Sequence, residues 1–185
     1  MDEQTIVNIF EKNQVCQQIV RIIADLDLPD CWLCAGYLRN YLWDHLNGRE
    51  RFTMTDVDVV FFDPKIDWDQ TVTIESTLKT AYPEIPWEVK NQALMHQYNF
   101  LGEQPYTSTS DALAKFPERC TAVAIRLNGD HMETLAPFGW QDILDFRVRP
   151  TPHFSQNAQY LSLYRQRQAQ KQWQKQWPML NIEDI

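Results

Sequence analysis

The sequence predicts an α+β (mixed α/β) domain in which helices cover a mixed sheet, and three observations lead there. Helix-period apolar segments alternate with short runs rich in β-branched and aromatic residues. An Asn128-Gly129 pair separates two such runs and suits the two-residue type I′ turn of a hairpin. The chain has 185 residues, 44% of them hydrophobic and 23% charged, enough for a single hydrophobic core.

The elements follow in order. Ile6, Ile9, Phe10, Ile19, Ile22, Ile23 and Leu26 fall close to helical spacing, which predicts one amphipathic helix over 5–25, ended by Pro29 and Asp30. Cys31-Trp32-Leu33-Cys34-Ala35 is a short apolar run and fits a buried strand; Gly36 breaks it, and 37–46 reads as a helix stopping near Gly48. A polar loop over 49–55 precedes a strand over 57–62, which Asp63-Pro64 stops. Residues 69–82 read as a helix closed by Pro83, Trp87-Glu88-Val89 opens another strand, and 102–111 is rich in turn residues. The hairpin takes 121–127 and 131–136, and 140–146 is a short helix. Pro150 and Pro152 mark a linker to a Gln-rich helix over 156–177 that carries Trp173 and Trp177. The organisation expected is an α/β domain over 1–150, with a basic C-terminal helix over 151–185 packed on it.

The formal charge is −8, unevenly spread: 1–145 hold 11 basic and 23 acidic groups, whereas 146–182 hold six basic groups and no acidic one. The global balance argues against a broad nucleic-acid surface, which needs clustered Lys and Arg. The basic segment either meets a polyanion or docks on the acidic body. No stretch approaches the roughly 18 apolar residues of a membrane span. Met1-Asp2-Glu3-Gln4 lacks the basic start of a signal peptide, so the expected compartment is the cytoplasm. Cys16, Cys31, Cys34 and Cys120 are expected as free thiols. The C-x-x-C at Cys31 and Cys34 has neither a second pair nor a His at ligand spacing, and reads as two small apolar residues of a strand.

The chemistry-bearing phrase is Asp56-Val57-Asp58-Val59-Val60-Phe61-Phe62. Two other D-x-D pairs, Asp25/Asp27 and Asp67/Asp69, lie in turn-like segments, but Asp56/Asp58 opens a buried strand. Residues i and i+2 of a strand share a face, so both carboxylates project together. Carboxylates about 5 Å apart repel by roughly 3 kcal/mol at an effective dielectric near 20, a strain that a bound cation relieves. Mg²⁺ suits such oxygens and takes one or two carboxylates plus substrate phosphates. The alternative is structural: Asp56 caps a turn and Asp58 pairs with Arg49 or Arg51. Upstream, Ala35-Gly36-Tyr37-Leu38-Arg39-Asn40 puts a glycine and a helix directly after a strand. A helix N-terminus offers unpaired N–H groups to a phosphate, and glycine lets a ligand come close.

Together these pieces resemble the nucleotidyltransferase superfamily, whose head pattern is a hydrophobic-Gly-Gly/Ser turn followed by Asp-x-Asp on a strand. Within it the match is with the poly(A)-polymerase and CCA-adding heads, with their Gly-Gly-x-x-Arg-Asp helix start and later Gly-Arg loop. Here these read Ala35-Gly36-Tyr37-Leu38-Arg39-Asn40, Gly48-Arg49 and Asp56-Val57-Asp58. Over residues 30–180 the chain also resembles a bacterial family of nucleotidyltransferase-like proteins. The phrases that carry this second likeness are Trp87-Glu88-Val89-Lys90-Asn91-Gln92-Ala93, Met95-His96, Ala136-Pro137-Phe138-Gly139 and Arg147-Val148-Arg149-Pro150-Thr151-Pro152.

The resemblance implies a nucleotidyltransferase-like fold and transfer of an NMP from an NTP to a hydroxyl acceptor with Mg²⁺, in one- or two-ion form. Asp56, Asp58 and a third carboxylate would hold the metal and do the chemistry. Glu88, in Trp87-Glu88-Val89, is favoured over Glu133, in Met132-Glu133-Thr134. Gly36, Tyr37, Arg39 and Asn40 would face the triphosphate, and Lys90 and Asn91 would meet the nucleotide or acceptor. Tyr37 stands where the superfamily has a small residue, and Asn40 where the CCA-adding type has Asp. The other reading is a degenerate member of this fold that binds a nucleotide or a protein without turnover. His96 and His131 read as structural, and Trp173 with Trp177 as the anchor of the last helix.

Overall fold

The computed structural model describes residues 2–49, 52, 54–99 and 104–183. Arg51, a candidate partner of Asp58, and Gly102, in the turn-rich loop, lie outside them.

The N-terminal apolar periodicity is continuous, yet it forms two helices, α1 (Glu3–Glu11) and α2 (Gln14–Ala24). The break is made by Asn13, whose side-chain oxygen accepts the backbone N–H groups of Val15 and Cys16 at 2.9 and 3.0 Å. That capping bond offers the backbone an alternative to continuing the first helix. Strand β1 (Trp32–Cys34) runs straight into α3 (Gly36–Leu46), then come β2 (Val57–Phe61), α4 (Trp68–Ala81) and β3 (Trp87–Asn91). Two helices not expected from the sequence follow, α5 (Gln92–Asn99) and the short α6 (Thr109–Leu113). The hairpin is β4 (Ala124–Asn128) and β5 (His131–Leu135), with Gly129 at φ +60° as its turn requires. After α7 (Gln141–Leu144) and β6 (Arg147–Val148), Pro152 opens a helix rather than a linker: α8 (Pro152–Ser155), capped by Thr151.

The last helix, α9 (Ala158–Lys171), stops short of the expected 177. Gln172 adopts a left-handed backbone, and a 3₁₀ turn over Trp173–Lys175 redirects the chain. The redirection carries Trp173 and Trp177 onto Trp43, with ring centroids 5.9 and 5.1 Å apart. A final strand, β7 (Asn181–Ile182), pairs in parallel with β6.

The five-stranded sheet has the order β3-β2-β1-β4-β5. It is mixed: β2 and β3 are parallel and joined over α4, whereas β1 is antiparallel to both β2 and β4. Alternation divides the strands between two faces. Leu33, Val57, Val59, Phe61, Trp87 and Val89 enter the main core with α1, α2 and α3. Trp32, Cys34, Val60 and Ala124 form a smaller cluster on the opposite face with Leu113. All four cysteines are free and buried, and burial pushes the thiols of Cys16, Cys31 and Cys120 up to about 12. Among the described residues, no helix is long and apolar enough to cross a membrane.

Candidate functional site

On the smaller-cluster face, the ladder sets Cys34, Asp58 and Glu88 in one row, with Asp58 directly between the other two. Val60 and Lys90 form the next row, and Lys90 reaches back. Its Nζ lies 2.6 Å from Glu88 Oε2 and 3.5 Å from Asp58 Oδ1. The alternative partner for Asp58, Arg49, instead pairs with Asp44. Burial, together with the charges of Glu88 and Asp56, pushes the Asp58 carboxyl above its ordinary value against the opposing pull of Lys90. Burial alone would depress Lys90, but its bond to Glu88 and the charges of Asp58 and Glu88 outweigh that and hold it above its ordinary value. The group is thus a crowded carboxylate pair partly neutralised by one ammonium.

These side chains line a cavity of about 700 Å³, with Asp56 at its edge. The start of α3 forms an adjoining wall. A Cβ built on Gly36 would stand 3.9 Å from Arg39 Nη2 and 4.0 Å from Asp58 Oδ2, so the glycine faces the gap between a cation and a carboxylate. Ala35 makes no side-chain cap bond and holds φ +61°, ψ −122°, a backbone that strains any residue but glycine. Arg39 is only 4% exposed, yet among the described residues no carboxylate is hydrogen-bonded to it. Its Nε and Nη2 donate to Asn40 Oδ1 at 3.1 and 2.8 Å, and Nη1 donates to Thr121 Oγ1 at 2.8 Å. Burial lowers its proton affinity, an effect that Cys120 and Glu118 oppose, but a guanidinium stays charged in proteins. A buried, incompletely neutralised cation beside a cavity is suited to an anion.

Of the residues singled out from the sequence, Gly36, Arg39, Asn40, Asp56, Asp58, Glu88 and Lys90 come together around this cavity. Two do not. Tyr37 is fully buried in the main core, its ring edge-on to Phe52 at 5.2 Å, because the first turn of α3 points it away from the cavity. Asn91 is a strut: its amide donates to the carbonyls of Asp63 and Ile66 at 2.7 and 2.8 Å and holds the turn after β2. Glu133 lies on the opposite sheet edge, where Asn128 and Arg126 hold its carboxyl below its ordinary range. The cavity also takes Thr55, Lys115 and Thr121, which sequence reasoning did not select, together with Arg167 and Lys171 of the basic segment and Trp173, which was read as an anchor of the last helix. The basic 146–182 segment was legible as charge, but not its return to this particular wall.

A family model described as nucleotidyltransferase matches residues 21–182. The chain belongs to that family. A solution NMR structure revealing a CCA-adding enzyme head domain is 42% identical to this nucleotidyltransferase, at a TM-score of 0.91, over 100% of this chain and 97% of that one. A CCA-adding enzyme in complex with CTP superposes at TM-score 0.55 with 12% identity, over 99% of this chain and 43% of its own. The apo form of a CCA-adding enzyme superposes at 0.52 with 14% identity, over 98% of this chain and 40% of its own. These two distant likenesses concern the fold. No curated protein matches the sequence. With the Gly-Gly-x-x-Arg-Asp pattern laid on the structure, Ala35, at φ +61°, stands on the first glycine, whereas Tyr37 falls on an unspecified position and is buried in the core.

Proposed function

We propose that this nucleotidyltransferase transfers an NMP from an NTP to a hydroxyl acceptor with the help of Mg²⁺, in the cytoplasm. One observation carries the reading: the in-register Asp58–Glu88 row faces the same cavity as Gly36 and the buried cation of Arg39.

The donor set suits the metal in part. Asp56 and Asp58 supply hard oxygens, the one or two carboxylates that Mg²⁺ takes when substrate phosphates complete its shell. Among the described residues, however, no three His, Cys, Asp or Glu side chains converge on one point, and Lys90 holds the place between Asp58 and Glu88. One ion at Asp56/Asp58 fits this arrangement; a second needs Lys90 to leave. When bound, the ion supplies charge neutralisation at the phosphates.

The protein's own groups do the rest. The start of α3 and Arg39 take the triphosphate, Gly36 letting it come close. Asn40, in place of the CCA-adding Asp, directs Arg39 without cancelling its charge. Glu88, once parted from Lys90, accepts the proton of the attacking hydroxyl. A bond forms from that oxygen to the α-phosphorus, and the bond to the leaving pyrophosphate breaks. Positioning and charge compensation account for most of the acceleration in such transfers.

The Lys90 bridge also favours a second reading, in which the same cavity binds a nucleotide without turnover. Incubation with labelled NTPs, Mg²⁺ and a cell extract separates the two. The proposed reaction yields a labelled acceptor that disappears in Asp58→Asn and on chelation of metal. Nucleotide binding with no labelled product, or product that persists in Asp58→Asn, overturns it.

A further inference from the structure

Arg39 is clasped from the C-terminal side of the molecule by residues to which neither the family pattern nor the metal site assigns a part. Thr121 Oγ1, which accepts from Arg39 Nη1, donates onward to Glu118 Oε2 at 3.0 Å. Glu118 is fully buried, and its other oxygen accepts from Arg167 Nε and Gln168 Nε2 of α9, both at 2.7 Å. The opposite approach to the guanidinium is closed by Trp173, whose ring centroid lies 4.1 Å from Arg39 Cζ. Trp173 is itself set edge-on to Trp43. Asn40, Thr121 and the two indoles together fix a planar group that would otherwise have several rotamers open to it. None of these contacts neutralises Arg39 at first hand, since the carboxylate they lead to, that of Glu118, stands a hydroxyl away.

We propose that Thr121, backed by Glu118, and Trp173 are positioning residues that hold Arg39 as a polyphosphate receptor. The C-terminal segment is on this view part of the nucleotide site, not merely a cover on the fold. Arg167 and Lys171, one helical turn apart on α9, extend the same basic wall along the cavity. The proposal rests on the reading of Arg39 as the group that meets the triphosphate. It adds that affinity for phosphate depends on a relay reaching from β1–α3 to α9, about 130 positions further along the chain.

Thr121→Val keeps shape and removes the hydroxyl, while Thr121→Ser restores it; Trp173→Leu removes the ring, while Trp173→Phe keeps one. Full-length variants are titrated calorimetrically with inorganic tripolyphosphate, a probe without a base, and with each Mg–NTP. Thermal melts accompany every titration. The expected result is that Thr121→Val and Trp173→Leu weaken tripolyphosphate binding about tenfold or more, the scale of one misdirected charge-assisted hydrogen bond. The Ser and Phe variants should stay within about threefold of wild type. Unchanged affinity in folded Thr121→Val, beside a clear loss in Arg39→Met, overturns the relay and leaves the nucleotide reading standing. Wild-type protein that binds neither tripolyphosphate nor any Mg–NTP overturns both.

Discussion

Asp58 sits on a largely buried strand with Glu88 directly across the ladder, and one ammonium only partly offsets the crowding. Its folded pKa therefore lies above the unfolded value. The protonated form is favoured by folding, so its contribution to stability is present below the unfolded carboxylate pKa of about 3.9 and is lost as pH rises through the folded one. At neutral pH the ionised group costs stability. With divalent ions chelated, Asp58→Asn should accordingly raise Tm near pH 7, by about 2–4 °C for each kcal/mol released in a chain of this size. The gain should fade as the pH is lowered toward 4, and NMP transfer should fall to background. A lower Tm at pH 7 contradicts the assignment. Lys90→Met acts on the same cluster from the other side. Removing the ammonium should tighten Mn²⁺ binding about tenfold, equivalent to roughly 1.4 kcal/mol, as followed by the paramagnetic relaxation of water. Unchanged affinity would mean that Lys90 and the ion do not compete. Ala35 tells a third local story. Its φ of +61° and ψ of −122° cost on the order of 1–3 kcal/mol in a residue with a Cβ. Ala35→Gly should raise the urea midpoint, corresponding to about 1 kcal/mol after the lost methyl burial is subtracted.

At the scale of elements, legibility followed the range of the forces involved. The Asp-x-Asp strand, the glycine before α3 and the Asn-Gly hairpin are written in neighbouring residues, and the structure has them where alternation and turn chemistry put them. Glu88 was picked out through the family resemblance, with Glu133 as its competitor, and it is the parallel pairing of β2 with β3 that sets Glu88 beside Asp58. Tyr37 was not legible: beside Gly36 it reads as a ligand residue, and only the rotation of α3 sends it into the core. The break at Asn13 and the stop at Gln172 were missed because apolar or helix-forming residues continue through both. Thr121, Arg167 and Trp173 meet Arg39 or its relay across long stretches of chain, which no local pattern encodes. The turn after α9 has a measurable role of its own. Trp177 is 1% exposed, packs on Trp43 and donates its indole N–H to buried Asp44 at 2.8 Å. Trp177→Ala should cost about 3–5 kcal/mol in urea unfolding, the range for deleting a buried aromatic. A loss below 1 kcal/mol would mean that this turn is loosely held.

For the whole molecule, the decisive feature is that charge and core both close back on the beginning of the chain. The basic 146–182 segment meets the acidic body through Arg167 on Glu118 and Arg149 on Asp142, while Arg147 pairs with Glu183 just beyond that segment. The carboxylates of Glu118 and Asp142 are almost completely buried, so leaving either unpaired is far costlier than losing a surface ion pair. The same segment places Trp173, Trp177 and Leu180 in the main core, and β7 satisfies the edge of β6. Residues 1–150 thus contain the sheet and the carboxylates but lack part of their own interior. Truncation after Pro150 would expose the face of Trp43 and take Arg167 and Gln168 away from buried Glu118, whereas Asp142 would keep Arg149. The truncated chain should lose the single cooperative transition expected of the full protein, in which tryptophan fluorescence and far-ultraviolet circular dichroism change together. It should retain secondary structure while binding a hydrophobic dye, as chains do when collapse outlasts packing. A truncated protein that still unfolds in one sharp, coincident transition would show that the sheet carries a sufficient core alone. The C-terminal segment would then be a separable cover, and its contacts with Arg39 would be free to open and close as nucleotide enters and leaves.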